Sequence, residues 1–420
     1  MRVLPSGWST IELGEALLEP LANGRSVPDR PGGFPVLRLT AVRDRRIDLE
    51  QCKAGAWSEN EARPYLVREG DLLIVRGNGS LHLVGRAGVV GAVTAPVAYP
   101  DTLIRVRTDP ALIESRYMSL LWDSPAVREQ IEDSVRTTAG IYKVNQSQLR
   151  SVQLPIPSLD EQRRIVDILE DHLSRLDAAD AYLGASHRRT DRLASAALWG
   201  LTHGRTDSRV CTLSDVAEVR LGRQRSPSNH TGSRMRRYLR AGNVGWDALR
   251  LDDVKEMNFT AAEETIYRLL PGDILVVEAS GSASEVGKSA IYDGEPDGVC
   301  FQNTLLRVRC SDAVPEFLQK YLLAEAIAGR FAEGSRGVGI NHLGRAKLAG
   351  WTLELASEDD QRTLAAQCAQ ALETMAALKS DVTDARTRSA TLRRALLAAA
   401  FSGRLTGRAS DMDLAEELVS

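Results

Sequence analysis

The feature that most constrains this 420-residue chain is that it repeats itself once, over nearly its whole length. Gly70-Asp71-Leu72-Leu73 matches Gly272-Asp273-Ile274-Leu275, Val84-Gly85-Arg86 matches Val286-Gly287-Lys288, and Thr102 to Arg107 (TLIRVR) matches Thr304 to Arg309 (TLLRVR), all at an offset of 202. Further on, Glu161-Gln162-Arg163 matches Asp360-Gln361-Arg362 and Gly204-Arg205 matches Gly403-Arg404, at an offset of 199. Solenoid repeats are much shorter, about 20 to 50 residues. A whole domain and the segment that follows it are therefore duplicated, and whatever the first copy folds into, the second must fold into again.

Each copy has two textures. Residues 1–157 and 208–355 are rich in turn residues and short β-type runs such as Asp71 to Arg76 (DLLIVR) and Asp273 to Glu278 (DILVVE), interrupted by helical stretches around Arg116 to Ser134 and Pro315 to Arg330. They read as mixed α+β globular domains. Residues 158–204 and 357–404 read as single long helices: Leu159 to Leu201 and Ser357 to Ser402 lack proline and are dense in Ala, Leu, Arg, Asp and Glu. Ser158 and Ser357 stand as caps, and Gly204 and Gly403 lie just past the ends. Residues 405–420 form an acidic C-terminal tail.

Stepping by three and four from Ile165 gives Leu169, His172, Leu176, Ala179, Leu183, Ser186, Thr190, Leu193 and Ala197. The same register in the second copy gives Leu364, Cys368, Ala371, Met375, Leu378, Val382, Ala385, Ser389, Leu392, Leu396 and Ala399. Each helix thus has one apolar stripe to bury. The economical arrangement pairs the two helices as an antiparallel coiled coil, a pseudo-two-fold tandem repeat with the globular domains held apart by a spacer. The alternative packs each helix on its own domain.

Composition narrows the function. With 43% hydrophobic and 26% charged residues and no apolar run near the roughly 18 needed to span a bilayer, the chain reads as globular, membrane-free and cytoplasmic. Five scattered cysteines without a CxxC pair read as reduced thiols, and six histidines without HExxH give no metal site. The one phosphate-loop decoy, Gly281 to Ser289 (GSASEVGKS), puts five residues between its glycines where the motif needs four. No nucleophile elbow, dinucleotide fingerprint or amino-methyltransferase motif is present, so no catalytic residue and no cofactor is assigned to the chain itself.

A net charge of -3 does not by itself indicate a nucleic-acid binder, but the chain is locally basic. Arg220, Arg223, Arg225, Arg234, Arg236, Arg237 and Arg240 lie in one stretch with no acidic residue among them. The first copy has a milder version in Arg25, Arg30, Arg38, Arg43, Arg45 and Arg46, diluted by Asp29 and Asp44. Arginine forks grip phosphate or take a guanine edge; an Arg-rich loop also serves as a plain solvated surface. A second polar cluster follows a strand in each copy: Arg76, Asn78 and Ser80 in the first, Glu278 and Ser280 in the second. Arginine suits guanine and glutamate suits cytosine, so equal scaffolds here carry unequal polar residues. A third pair of segments holds Arg136 in the first copy and Arg336 and Asn341 in the second. DNA or RNA is the leading ligand.

With repeat, helices and loops together, the chain resembles the DNA-specificity subunit of Type I restriction–modification systems across almost all of its length. The most specific stretches are Leu154 to Val166 (LPIPSLDEQRRIV) and Leu392 to Gly403 (LRRALLAAAFSG), where that family begins its first conserved helix and ends its second. The second helix departs from the pattern by opening on Glu354-Leu355-Ala356-Ser357, without prolines. The resemblance implies two target-recognition domains, each reading half of a bipartite double-stranded DNA target, with paired helices setting the unread gap. It implies a non-catalytic subunit that positions two methyltransferase subunits carrying S-adenosylmethionine and, in the full complex, two translocase-nuclease subunits using ATP and Mg. A coiled-coil adaptor that binds protein without DNA specificity is the alternative.

Overall fold

The computed structural model describes residues 4–138, 141–204, 206–332 and 341–406, without the side chains of residues 136–138, 283, 332 and 341. The chain divides into two units, Met1–Leu183 with Asp384–Ser420, and Gly184–Thr383. Each unit holds one globular domain and one half of each long helix.

The first unit is built on strands β1 (Leu17–Asn23), β2 (Leu72–Val75), β3 (Ala87–Val90) and β4 (Leu103–Thr108), in the antiparallel order β1-β4-β2-β3. Every residue of β2, the run LLIV, is buried. Because strand side chains alternate between faces, Leu72 and Ile74 enter one core with Ile104, Val106 and helix α1 (Ser115–Trp122), while Leu73 and Val75 enter another with Leu37, Val90 and Tyr99. Covering both faces is what makes the strand a continuous apolar run. Strand Ser9–Glu12 pairs with Gln153–Ile156 and ties the start of the domain to the segment leading into the long helix α2 (Leu159–Thr202).

The second unit repeats this with β5 (Ala217–Leu221), β6 (Ile274–Val277), β7 (Ser289–Ile291) and β8 (Leu305–Cys310), in the order β5-β8-β6-β7. Ile274 and Val276 face Val308 and Phe317 of helix α3 (Pro315–Ile327), whereas Leu275 and Val277 face Leu239, Tyr292 and Phe301. Strand Arg209–Thr212 pairs with Thr352–Leu355 before helix α4 (Glu358–Ala400). The domains differ outside this shared sheet. The first carries an antiparallel pair of Asp29–Leu37 with Cys52–Gly55, and the second a three-stranded sheet with Met235–Leu239 at its centre.

The duplicated motifs are the positions the fold cannot change freely. Gly70 and Gly272 adopt φ of 84° and 88°, where a side chain is strained. The following Asp71 and Asp273 are buried acceptors for Arg107 and Arg309. Gln162 and Gln361, in the first turn of each long helix, accept from the backbone N–H of Glu114 and Val314 at 2.9 and 2.8 Å. Each donates in turn to backbone carbonyls, of Leu112 and Pro157 in one unit and of Ala356 in the other. A buried amide with donor and acceptor both used ties helix to domain, which explains why the Gln recurs.

The long helices pack both on the domains and on each other. In the first unit Ile165, Val166, Leu169 and Leu173 of α2 share a core with Leu396, Leu397 and Ala400 of α4, and Arg393 forms an ion pair with Asp177. In the second, Lys379 pairs with Asp191, and Leu198 packs with Cys368 and Leu372. Advancing along α2 from Asp191 to Leu198 retreats along α4 from Lys379 to Leu372, so the helices run antiparallel. The three-four register from Ile165 needs one correction. Leu173 is buried in place of His172, and Leu198 in place of Ala197, while Leu193 is 49% exposed. On the second helix Leu378 is likewise 45% exposed. A straight helix drifts about 20° per heptad from a 3.5-residue repeat. Over the distance from Ile165 to Leu198 that amounts to about one residue, the slip seen at Leu198, whereas Leu173 is turned inward by packing in the core of the first unit.

Candidate nucleic-acid interface

Strand register gathers the dispersed polar clusters. In the first unit β1 and β2 both run antiparallel to β4, with Asn23 opposite Ile104 and Val75 opposite Leu103. Both strands therefore end at the same edge of the sheet. In the second unit Leu221 lies opposite Leu306 and Val277 opposite Leu305, with the same result. The loop after β1 holding Arg25 emerges beside the turn of Arg76, Asn78 and Ser80, and the loop of Arg223 and Arg225 beside Glu278 and Ser280. The third segments join by pairing: Tyr142 and Lys143 lie across from Asn78 and Gly77, and Asn341 and His342 across from Ser280 and Ala279. The N–H of Val144 donates to the Arg76 carbonyl at 3.0 Å and that of Leu343 to the Glu278 carbonyl at 2.8 Å.

Arg43 is not gathered with them. Its strand pair with Arg46 sits level with Val89, which lies across from Leu72 at the other end of β2. Its Nε donates to the Thr40 carbonyl at 3.1 Å, and that of the exposed Arg38 to the Cys52 carbonyl at 3.3 Å. The side chains of Arg136 and Asn341, and the whole of Arg336, lie outside the described residues.

The arginine stretch of the second unit contains no acid in sequence, but the fold brings acids to it. Arg220 pairs with Glu218, Arg223 with Glu263 at 2.8 Å, Arg234 and Arg236 with Glu264 at 2.8 and 2.9 Å, and Arg240 with Asp253 at 2.7 Å. Hydrogen bonds from Arg236 and then Arg234 hold the Glu264 carboxyl below its ordinary range. Arg223 is the most committed. It also donates to the Asn258 carbonyl at 2.7 Å and lies 4.9 Å from the centre of the Phe259 ring, with 15% of its side chain exposed. Arg225 and Arg237 are exposed and form no ion pair among the described residues.

The second cluster divides between the units. In the first, Arg76 is half-buried with Nη1 donating to the Asp101 carbonyl at 3.4 Å, and Asn78 Oδ1 accepts from the N–H of Ser80 at 3.1 Å. In the second, Ser280 Oγ accepts from the N–H of Ser282 at 3.3 Å. Glu278 is largely buried, and both of its carboxylate oxygens lie 3.2 Å from Nδ1 of His342. Sequence reasoning passed over Lys143 and His342. Their positions differ by the offset of 199 that relates the later parts of the repeat, which is the signal that finds them.

The GKS segment is occupied by the fold. The N–H of Gly287 donates to the Val277 carbonyl, and Ser289 is buried with its carbonyl accepting from Gln319 at 3.0 Å. Lys288 pairs with Glu285 and lies 5.4 Å from the centre of the Trp246 ring. A phosphate cradle needs free N–H groups and a free lysine. Among the described residues no group of His, Cys, Asp and Glu is placed to hold a metal ion, and no helix is long and apolar enough to cross a membrane.

Two copies of one mixed domain, each continuing into a long helix and presenting unlike polar residues at the same sheet edge, define a duplicated two-domain protein. Residues 5–179 match the family model described as Type I restriction modification DNA specificity domain. The chain is 32% identical over 188 residues to the Type I restriction enzyme EcoKI specificity subunit of Escherichia coli K12, a match covering 44% of this chain and 40% of that protein. It is 26% identical over 194 residues to the StySPI specificity subunit of Salmonella potsdam, covering 46% of this chain and 42% of that protein. The matched stretch thus spans about two fifths of each relative. In fold the chain resembles the HsdS subunit from Thermoanaerobacter tengcongensis, with a TM-score of 0.54 at 18% identity over 96% of this chain and 98% of that one. A chain from a structural study of complex assembly and conformational transition in the type I R-M system gives a TM-score of 0.74 at 19% identity, covering 96% of this chain and all of that one.

Proposed function

We propose that the chain is the DNA-sequence specificity subunit of a Type I restriction–modification complex, with each globular domain reading one half of a bipartite target. The observation that carries this reading is the convergence of three polar segments at one sheet edge in each unit, on matched scaffolds but with different side chains. A duplicated reader of a split sequence needs that combination: the same backbone platform twice, and different groups to tell bases apart. The exposed arginines supply salt-sensitive phosphate affinity, and a few side chains of the turns discriminate.

In this reading the chain catalyses nothing. Two methyltransferase subunits dock on it and supply S-adenosylmethionine, and in a restricting complex two translocase-nuclease subunits bring ATP and Mg. The helices of 44 and 43 residues, about 65 Å each at 1.5 Å per residue, set the unread gap.

The test is a single-molecule methylation map of DNA from cells that carry this chain with its neighbouring methyltransferase, beside cells lacking only this chain. One split motif with methylated adenines in both halves should disappear when the chain is removed. Identical maps in cells expressing the methyltransferase would overturn the reading in favour of a protein-binding adaptor.

A further inference from the structure

Glu278 and His342 are an unequal pair. Only 11% of the Glu278 side chain is exposed, against 57% of His342, and both carboxylate oxygens lie 3.2 Å from the imidazole Nδ1. Burial therefore leaves the carboxylate little surface for a ligand, while the ring stays open to solvent. In a neutral ring, donation from Nδ1–H to the carboxylate leaves Nε2 as an acceptor, on the side of the ring away from Glu278. The backbone locks the same pair, since His342 faces Ala279 across the ladder and the N–H of Leu343 donates to the Glu278 carbonyl.

The first unit holds different chemistry at the same place. Lys143 faces Gly77 across the equivalent ladder, is exposed, and stands next in space to the segment of Arg76. Lysine has three donors and no acceptor. The position is thus an oriented acceptor in one unit and a pure donor in the other, at the edge where the polar segments of each unit converge.

We propose that His342 contacts a base in the half-site read by the second unit, accepting from the exocyclic amine of cytosine or adenine, with Glu278 as its positioning residue. Lys143 is the corresponding residue of the first unit, donating to guanine O6 and N7. This rests on the DNA-reading function proposed above. It moves the reading role from Glu278 to its neighbour, because exposure and not charge decides which group meets the DNA.

The test uses the full chain with its methyltransferase in cells and the same methylation map, for wild type, His342→Lys, Lys143→His, Glu278→Ala and Glu278→Gln. His342→Lys should change the base accepted at one position of one half-site, lowering methylation of the wild-type sequence roughly tenfold to a hundredfold, with the other half and the gap unchanged. Lys143→His should do the converse in the other half. Glu278→Ala should relax the same position as His342→Lys, and Glu278→Gln, which still accepts from Nδ1–H, should restore it. An unchanged motif at uniformly lower occupancy in both lysine–histidine exchanges would overturn the inference alone, because it marks a phosphate contact. A wild-type map without a split motif would overturn the function it rests on.

Discussion

Arg107 holds Asp71 through two parallel hydrogen bonds, Nε to Oδ1 at 2.6 Å and Nη2 to Oδ2 at 2.7 Å, and Arg309 repeats the grip on Asp273 at 2.7 Å for each bond. The two pairs differ in exposure, with 8% of the Arg107 side chain reaching solvent and 33% of Arg309. Removing one partner of a buried pair strands a charge, at a cost of about 3 to 5 kcal/mol. Arg107 keeps a second carboxylate, Glu19 at 2.6 Å, and water can reach Arg309, so Asp71→Ala and Asp273→Ala should each lower stability by less than that amount. Calorimetric unfolding of both variants checks this. A loss above about 5 kcal/mol for either would contradict it.

Arg223 and Arg225 stand two positions apart and should behave differently. Arg223 is bound to Glu263, to the Asn258 carbonyl and over the Phe259 ring, so Arg223→Ala should lower the melting temperature of the chain. Arg225 is exposed, and Arg225→Ala should leave melting unchanged while weakening DNA binding and reducing the salt slope by about one. The pair of melting curves, with DNA titrations at several salt concentrations, separates the two roles. An unmoved melting temperature for Arg223→Ala would refute its structural assignment.

The helix seam makes its own prediction. Leu198 is 1% exposed and Leu193 49%. Leu198→Ala should cost about 2 to 5 kcal/mol, whereas Leu193→Ala should stay within about 0.5 kcal/mol. Urea unfolding of the two variants decides between the observed stripe and a strict heptad, which predicts the reverse.

Stability should also depend on Glu264. Its carboxyl lies lower in the folded chain than the ordinary 4.5, because Arg236 and Arg234 hydrogen-bond to the charged form. The contribution is therefore complete above about pH 4.5 and is lost as pH falls through the lower folded value. The melting difference between wild type and Glu264→Gln should be largest near neutrality and shrink as acid is added. A difference that stays constant into the acid range would show that the ion pairs contribute nothing.

Burial pushes the thiols of Cys300 and Cys310 up to about 12 and that of Cys368 to about 11. At about pH 8 almost none of these exists as the nucleophilic thiolate. The folded chain should resist alkylation at all three, and unfolding should expose them together. Rapid labelling of Cys368 by iodoacetamide in the native protein would show that the helix pairing around it opens.

Much of this protein was legible in its residues because duplication marks what a fold cannot lose. Gly70 and Gly272 need a positive φ, Asp71 and Asp273 need their arginines, and Gln162 and Gln361 need both ends of one amide, so these survived in both copies. The mixed class of the domains and the two long helices followed from patterns of a few neighbouring residues, which local sequence carries. Charge pairing across space was not legible. The stretch from Arg220 to Arg240 contains no acid, yet Glu263, Glu264 and Asp253 arrive from segments further along the chain and, with Glu218 two positions before Arg220 on the same strand, pair with most of it. The same holds for the choice between Glu278 and His342, which are 64 positions apart and meet only through a ladder. Sequence determined which elements form and which residues each copy must keep, since those depend on local periodicity and backbone geometry. Tertiary structure alone decided which charges are free, which leucines face inward after the drift of a straight helix, and which side chains share one sheet edge, since burial and long-range pairing belong to no single segment.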